Sequence, residues 1–407
     1  MALKEEIIDV LQTYIDAHSV AKPDIWKERE VTLAPDANLE PVVVCIWDSG
    51  VDSLVYPDQL YVNDKEQLDG KGNDGNGFVD DRHGIAYTMH EEKTSDMLFP
   101  MDDSLKQKLP EMKEFMKGLL DLQASIDSKE ASALKKQLAQ MKPEEAKPLF
   151  ERLGLFGNFM HGTHVAGIAV ADNPFARILN SRLTFDYHMI PEAPTVERAQ
   201  KSVISNRETI DYFKACGVRV VNMSWGGDLK SDEAALEANG IGETPEERAK
   251  LAREIFDISK NGLYEAIKSA PEILFITSAG NSDNDVAFDE VIPSSFDLPN
   301  LMVVGAVDQA GEETSFSSFG ENIDVHANGF EVESFLPGGD RMAVSGTSQA
   351  SPQVTNLAAK LLAKNPSLTV AELIVLIKDG ADKSTDGRCH LINPKKSMAL
   401  LTEKMGK

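Results

Sequence analysis

Cysteine is scarce: three residues in 407 (Cys45, Cys216, Cys389) are too few for a disulfide framework. Cys45 and Cys216 lie in or beside apolar runs, where a buried, inert thiol is the plain expectation. Long apolar stretches are missing as well. The longest, at 42–47, 273–279 and 301–307, have the length of strands and fall far short of the roughly 20 residues needed to cross a bilayer. Positive charge is in deficit, with 41 Lys and Arg against 66 Asp and Glu and a formal net charge of −25. Phosphate recognition needs a basic face, so nucleic acid is excluded as the expected partner. The opening Met-Ala-Leu-Lys-Glu-Glu does not read as a basic-then-apolar signal peptide.

What is present is an ordinary globular composition, 42% hydrophobic and 26% charged. After an N-terminal arm (1–40) carrying an amphipathic helix, with Ile7, Leu11, Tyr14 and Ile15 at helical spacing, short apolar runs alternate with helical segments. Expected strands are 42–47, 177–183, 218–223, 272–278 and 300–306. Expected helices are 161–172, 196–215, 245–269, 349–364 and 370–379. Thr244-Pro245-Glu246-Glu247 and Thr369 to Glu372 sign two helix starts. Apolar strands without polar alternation, interleaved with helices, indicate a mostly parallel sheet covered on both faces, a three-layer α/β/α architecture. Residues 88–158 break the rhythm and read as a helical insertion, with Met112, Phe115, Met116, Leu119 and Leu120 forming one stripe. The main domain is taken as 41–396, followed by a tail at 397–407.

Five segments carry chemical signals. The run at 42–47 ends in Asp48-Ser49-Gly50, an acid at a strand's carboxyl end, where ligands gather in open parallel sheets. His161-Gly162-Thr163-His164-Val165-Ala166-Gly167 reads as a histidine opening a small-residue helix. Two histidines three apart admit a metal reading, but no third ligand of recognisable spacing accompanies them, and His164 is expected to be a hydrogen-bonded structural residue. In Gly346-Thr347-Ser348-Gln349-Ala350-Ser351-Pro352, Pro352 fits only the first turn of a helix, so Ser348 sits at a helix start with its own N–H available to an oxyanion. Ala279-Gly280-Asn281 ends another apolar run with a carboxamide; a plain turn is the alternative. Asn222-Met223-Ser224-Trp225-Gly226-Gly227 offers an edge to which an extended peptide can add.

Together these segments resemble the subtilisin-like serine peptidases (subtilases) over about 42–87 and 159–396; Phe316 to Gly320 and Leu391-Ile392-Asn393 also fit. The resemblance implies a serine endopeptidase acting through an acyl-enzyme, with Asp48, His161 and Ser348 as triad and Asn281 as oxyanion donor. It implies that Ser224, Trp225 and Gly226 bind substrate backbone, that protein or peptide chains are the substrates, and that no cofactor is required for the chemistry. It further implies a secreted or periplasmic home and an inhibitory propeptide or regulator as partner, although the helix at 1–19 is too short for a complete propeptide of the usual kind. A catalytically silent scaffold on the same fold is the competing reading, and a metal hydrolase using His161 and His164 a distant third.

The chain departs from the family pattern in places. The stretch between Asp48 and His161 is several dozen residues longer than in typical relatives because of the insertion, which is expected to be surface decoration or a docking face. Val291 and Ile292, before Pro293, align with the base of the primary specificity pocket and would shallow it. The stretch 69–81 resembles a calcium loop that places Asp74, Asn76 and Asp80 at ligand positions; a tight polar turn without metal is the alternative. Gln349 replaces the methionine that commonly follows the nucleophile. With no thioether beside Ser348, activity should survive mild peroxide, and rapid peroxide inactivation would contradict this.

Overall fold

The run at 42–47 lies inside a ten-stranded sheet. The computed structural model describes residues 2–18 and 22–406. In chain order the strands are β1 (Val42–Asp48), β2 (Gly84–Tyr87), β3 (Lys93–Thr94), β4 (Ala176–Arg182), β5 (Val220–Met223), β6 (Leu274–Ser278), β7 (Leu301–Val307), β8 (Val325–Asn328), β9 (Val332–Phe335), β10 (Arg341–Val344), β11 (Asp382–Lys383) and β12 (His390–Leu391). The sheet order is β11-β12-β8-β7-β6-β5-β1-β4-β2-β3, and β9 and β10 form a separate hairpin. All pairings in the large sheet are parallel except the two edge pairs, β11 with β12 and β2 with β3. The five expected strands appear as β1, β4, β5, β6 and β7. The others are too short to show as apolar runs, and the two-residue β3 puts a strand into the segment expected to be wholly helical.

The helices are α1 (Ala2–His18), α2 (Asp103–Gln107), α3 (Leu109–Gln123), α4 (Lys129–Gln140), α5 (Pro143–Val170), α6 (Val196–Ala215), α7 (Leu229–Ala238), α8 (Pro245–Lys268), α9 (Thr347–Lys364), α10 (Val370–Gly380) and α11 (Pro394–Met405). Both signed starts cap their helices: Glu247 N donates to Thr244 Oγ1 at 3.2 Å, and Thr369 and Glu372 exchange hydrogen bonds reciprocally. In α1, Ile7 and Leu11 of the expected apolar face are exposed, and the side chain of Ile15 lies outside what is described. The tail expected from 397 begins inside α11, whose Leu401 is fully buried in the main core.

Side-chain parity along β1 sorts the two layers. Val42, Val44 and Ile46 join a core with α5, α9, α10 and α11, while Cys45 and Trp47 join a second core with α6 and α8. Successive strand residues point to opposite faces, so Asp48 falls on the α5/α9 side. The same alternation in β5 sends Val221 and Met223 to the α6/α8 core, while Asn222 bonds to Thr355 of α9.

One expected boundary is wrong. The helix read as 161–172 runs from Pro143 to Val170, 28 residues, and His161 sits well inside it. Leu149, Leu153, Phe156 and Met160 keep helical spacing upstream of the histidine and are buried, so nothing stops the helix there. They pack with Met112 and Met116 of α3 and Met342 and Val344 of β10, forming a third core. Lys113 Nζ, paired with Asp340 at 3.0 Å, adds a link between α3 and the turn of the β9–β10 hairpin. The end of the inserted segment thus runs without a break into the helix turn that carries His161, and α3 packs against that same helix.

Candidate active site

Three strand ends meet beside the point where β5 and β4 flank β1 on opposite sides, the kind of crevice in which doubly wound sheets hold ligands. At the end of β1, Asp48 is fully buried. Its Oδ1 accepts from His161 Nδ1 at 2.7 Å and from the N–H of Ser49 at 2.6 Å. Helix α5 comes close enough for this bond only because Gly162 faces Gly50: a Cβ at Gly162 would collide with the Gly50 carbonyl. Ser49 Oγ completes the seam by accepting from Gly162 N at 3.0 Å. Burial pulls the His161 imidazolium down, but the charge and hydrogen bond of Asp48 more than compensate, and its pKa ends above the ordinary value.

His164 is one turn further on, fully buried, with Nε2 2.9 Å from the Met342 carbonyl. Burial pushes its pKa down to about 4, so it is neutral at physiological pH. Its other nitrogen has no partner among the described residues. Asn158, one turn before His161, grips the backbone of Phe185 at both ends, donating to its carbonyl at 2.9 Å and accepting from its N–H at 2.8 Å.

Ser348 is the second residue of α9, partly exposed, and its Oγ donates to the Ser224 carbonyl at 3.2 Å. Among the described residues it makes no hydrogen bond with His161. The Ser224 hydroxyl donates to the Ser348 carbonyl at 3.1 Å and lies 2.9 Å from Ser351 Oγ, locking the end of β5 to the first turn of α9. Asn281 is exposed after β6, and its carbonyl oxygen accepts from Thr347 N at 2.8 Å and Thr347 Oγ1 at 2.9 Å. Those two bonds fix the carboxamide and leave its NH₂ free to donate. Trp225 Nε1 donates to the Trp47 carbonyl at 2.7 Å, and Gly226 lies exposed beside it. A Cβ at Gly226 would lie 2.8 Å from the Ile292 carbonyl and 3.8 Å from Val291 Cγ1, so Val291 borders the same groove. The roles of Thr347 and Asn158 are not legible in the sequence, since both act through contacts far away in the chain.

The polar loop at 69–81 is arranged differently from the expectation. Asp80 turns away, and its Oδ1 accepts from the N–H groups of Asp69 and Gly70, both at 2.9 Å. The oxygens that converge belong to Glu66, Asp74 and Asp81, within 4.8 Å of one another. Asn76 bridges Asp74 and Asp81 at 3.1 and 2.8 Å. Glu66 Oε2 and Asp81 Oδ1 are buried without a partner among the described residues. Three crowded carboxylates with free buried oxygens fit a hard divalent cation such as calcium. Asp81, whose carboxylate does converge, is one residue from the expected Asp80, and Glu66 carries no signal in the sequence.

The description "Subtilase family" fits residues 40–393 of this chain. Subtilisin of Bacillus pumilus is 31% identical over 52% of this chain and 66% of its own length. Subtilisin E of Bacillus subtilis is 31% identical over 52% of this chain and 48% of its own length. The match therefore spans about half to two-thirds of these relatives. Among solved structures, one describing the assembly of the subtilase cytotoxin SubAB has a TM-score of 0.50 at 17% identity, covering 90% of this chain and 91% of that one. The A-subunit of the AB5 toxin from E. coli also has a TM-score of 0.50, at 16% identity, covering 89% and 93%. These two likenesses concern the fold.

If the three carboxylates hold calcium, adding calcium should raise the melting temperature and chelation should lower it. Asp81→Asn should abolish that response and Asp80→Asn should preserve it. A response lost in Asp80→Asn and kept in Asp81→Asn would contradict the assignment.

Proposed function

Because the chain belongs to the subtilase family, we propose that it is a serine endopeptidase with Ser348 as nucleophile, His161 as general base, Asp48 as its orienting carboxylate and Asn281 as an oxyanion donor. One observation carries this reading: the 2.7 Å bond from His161 to a fully buried Asp48, on the sheet face where α9 presents Ser348. With substrate bound, the Ser348 hydroxyl rotates away from the Ser224 carbonyl toward His161 Nε2, which takes its proton as Oγ attacks the scissile carbonyl. Apo sites often hold such bonds open until the substrate arrives. Asp48 keeps the Nδ1–H tautomer and stabilises the imidazolium. The Ser348 N–H and the Asn281 NH₂ hold the oxyanion. His161 then protonates the leaving amine, and water repeats the sequence on the acyl-enzyme. This chemistry needs no cofactor; Glu66, Asp74 and Asp81 would hold a structural calcium ion that screens their mutual repulsion.

The same reading makes peptide chains the substrates, laid along Ser224 to Gly226. Val291, bordering Gly226, shallows the primary pocket and selects small or medium apolar side chains.

A fluorophosphonate should label Ser348, and Ser348→Ala should lose both labelling and casein cleavage. An unlabelled, inactive wild type would instead support the scaffold reading. Catalysis requires neutral His161, so kcat/KM should fall as pH drops through a pKa above 6.5, the ordinary histidine value. A profile flat through that range would contradict the assignment.

Val291→Gly should move the preference in a peptide library toward large aromatic side chains. A wild-type profile dominated by Lys or Arg would refute the pocket assignment.

A further inference from the structure

Lys360 of α9 is 5% exposed and makes no hydrogen bond and no ion pair among the described residues. The charges that act on it, Asp172 and Glu30, do so through space only. An ammonium withdrawn from water without a contact partner is unfavourable, and burial pulls its pKa down to about 8. Lys360 borders a cavity of about 550 Å³ between the N-terminal arm, the end of α5, the β9–β10 hairpin and α9. Asp172 and Glu30 border the same cavity, which puts the ammonium at its wall. The other polar groups of that wall are already committed. Arg29 is held by Asp382 and by the Ile392 carbonyl, both at 3.2 Å, and Arg341 by Glu333 at 3.1 Å. Tyr56 donates its hydroxyl to the Thr163 carbonyl at 2.8 Å. Glu30 and Asp172 are exposed, where water and salt screen them. Lys360 is therefore the cation of the wall that lacks a contact partner. One unmatched positive charge calls for a monoanion, and Trp26, Val31, Val55 and Phe335 around the same space call for an apolar body behind it.

We propose that this cavity binds a small organic monocarboxylate, its carboxylate paired with the Lys360 ammonium and its apolar part lying against Trp26 and Phe335. Lys360 stands about 18 Å along α9 from Ser348 at the helical rise, so the site uses none of the groups assigned to the chemistry. A ligand there joins α9 to the arm and to the end of α5, and it stabilises the fold by binding the native state alone.

The test titrates the full chain with sodium hexanoate, sodium acetate and inorganic phosphate at constant ionic strength. Hexanoate should change the tryptophan fluorescence saturably, because Trp26 borders the cavity, and should raise the melting temperature. Acetate, which lacks the apolar part, should bind about tenfold or more weakly. Lys360→Met keeps the apolar stem and should raise the hexanoate dissociation constant by about tenfold or more. Glu30→Gln removes a competing negative charge and should lower it. Affinity in wild type should fall as pH rises through about 8, because Lys360 then loses the proton that pairs with the anion. No saturable response to hexanoate, an equal response in Lys360→Met, or phosphate bound more tightly than hexanoate would overturn the proposal. Should Lys360→Met fail to fold, wild type decides alone: a hexanoate affinity unchanged between about pH 7 and about pH 9.5 would overturn it as well.

Discussion

The alternation of side chains along β1, combined with one contact between glycines, sets the position of every other group in the site. Val42, Val44 and Ile46 are buried against α5 and α9, which commits Asp48 to that face. A slip of one residue would turn the carboxylate toward α6 and α8, away from both helices that complete the site. Once Asp48 faces α5, the helix must approach closely, and the meeting of Gly162 with Gly50 permits it. The register of a buried strand therefore fixes a proton-transfer geometry, and side-chain entropy has little to undo because Asp48 is fully buried.

The inserted helices extend this framework. Helix α5 carries their apolar stripe and His161 on one continuous rod, with Asn158 clamped to Phe185 on one side and His164 bonded to the β10 backbone on the other. Helix α3 packs on the same hairpin through Met112 and Met116, and β10 runs directly into the segment preceding Ser348. The segment expected to be surface decoration or a docking face contributes a core that braces the helix bearing the histidine against the hairpin leading to the serine.

The sequence made the central strands and the long helices legible because their burial is nearly complete and their caps are local. The apolar run at 42–47 and the Thr369–Glu372 pair each declare themselves within a few residues. The start of α5 was not legible: a Gly-rich motif at His161 looks like a beginning, and only the upstream spacing of Leu149, Leu153, Phe156 and Met160 shows otherwise. Of the four proposed catalytic side chains, Asp48, Asn281 and Ser348 stood out as residue types at or beside strand or helix ends, and His161 through the small-residue motif around it. Their supports did not, because Thr347 acts on Asn281 and Asn158 on Phe185 across long stretches of chain. In the acidic loop the choice between Asp80 and Asp81 depended on which carboxylate the backbone turned inward, and spacing rules are too coarse to decide between adjacent residues.

The buried Asp48 carboxylate holds His161 through its Nδ1 proton. Proton NMR of the imidazole N–H region measures that bond directly. A strongly downfield proton should be present in wild type, persist in Ser348→Ala, and vanish in Asp48→Ala. A wild-type spectrum without it, or one unchanged by Asp48→Ala, would contradict the account.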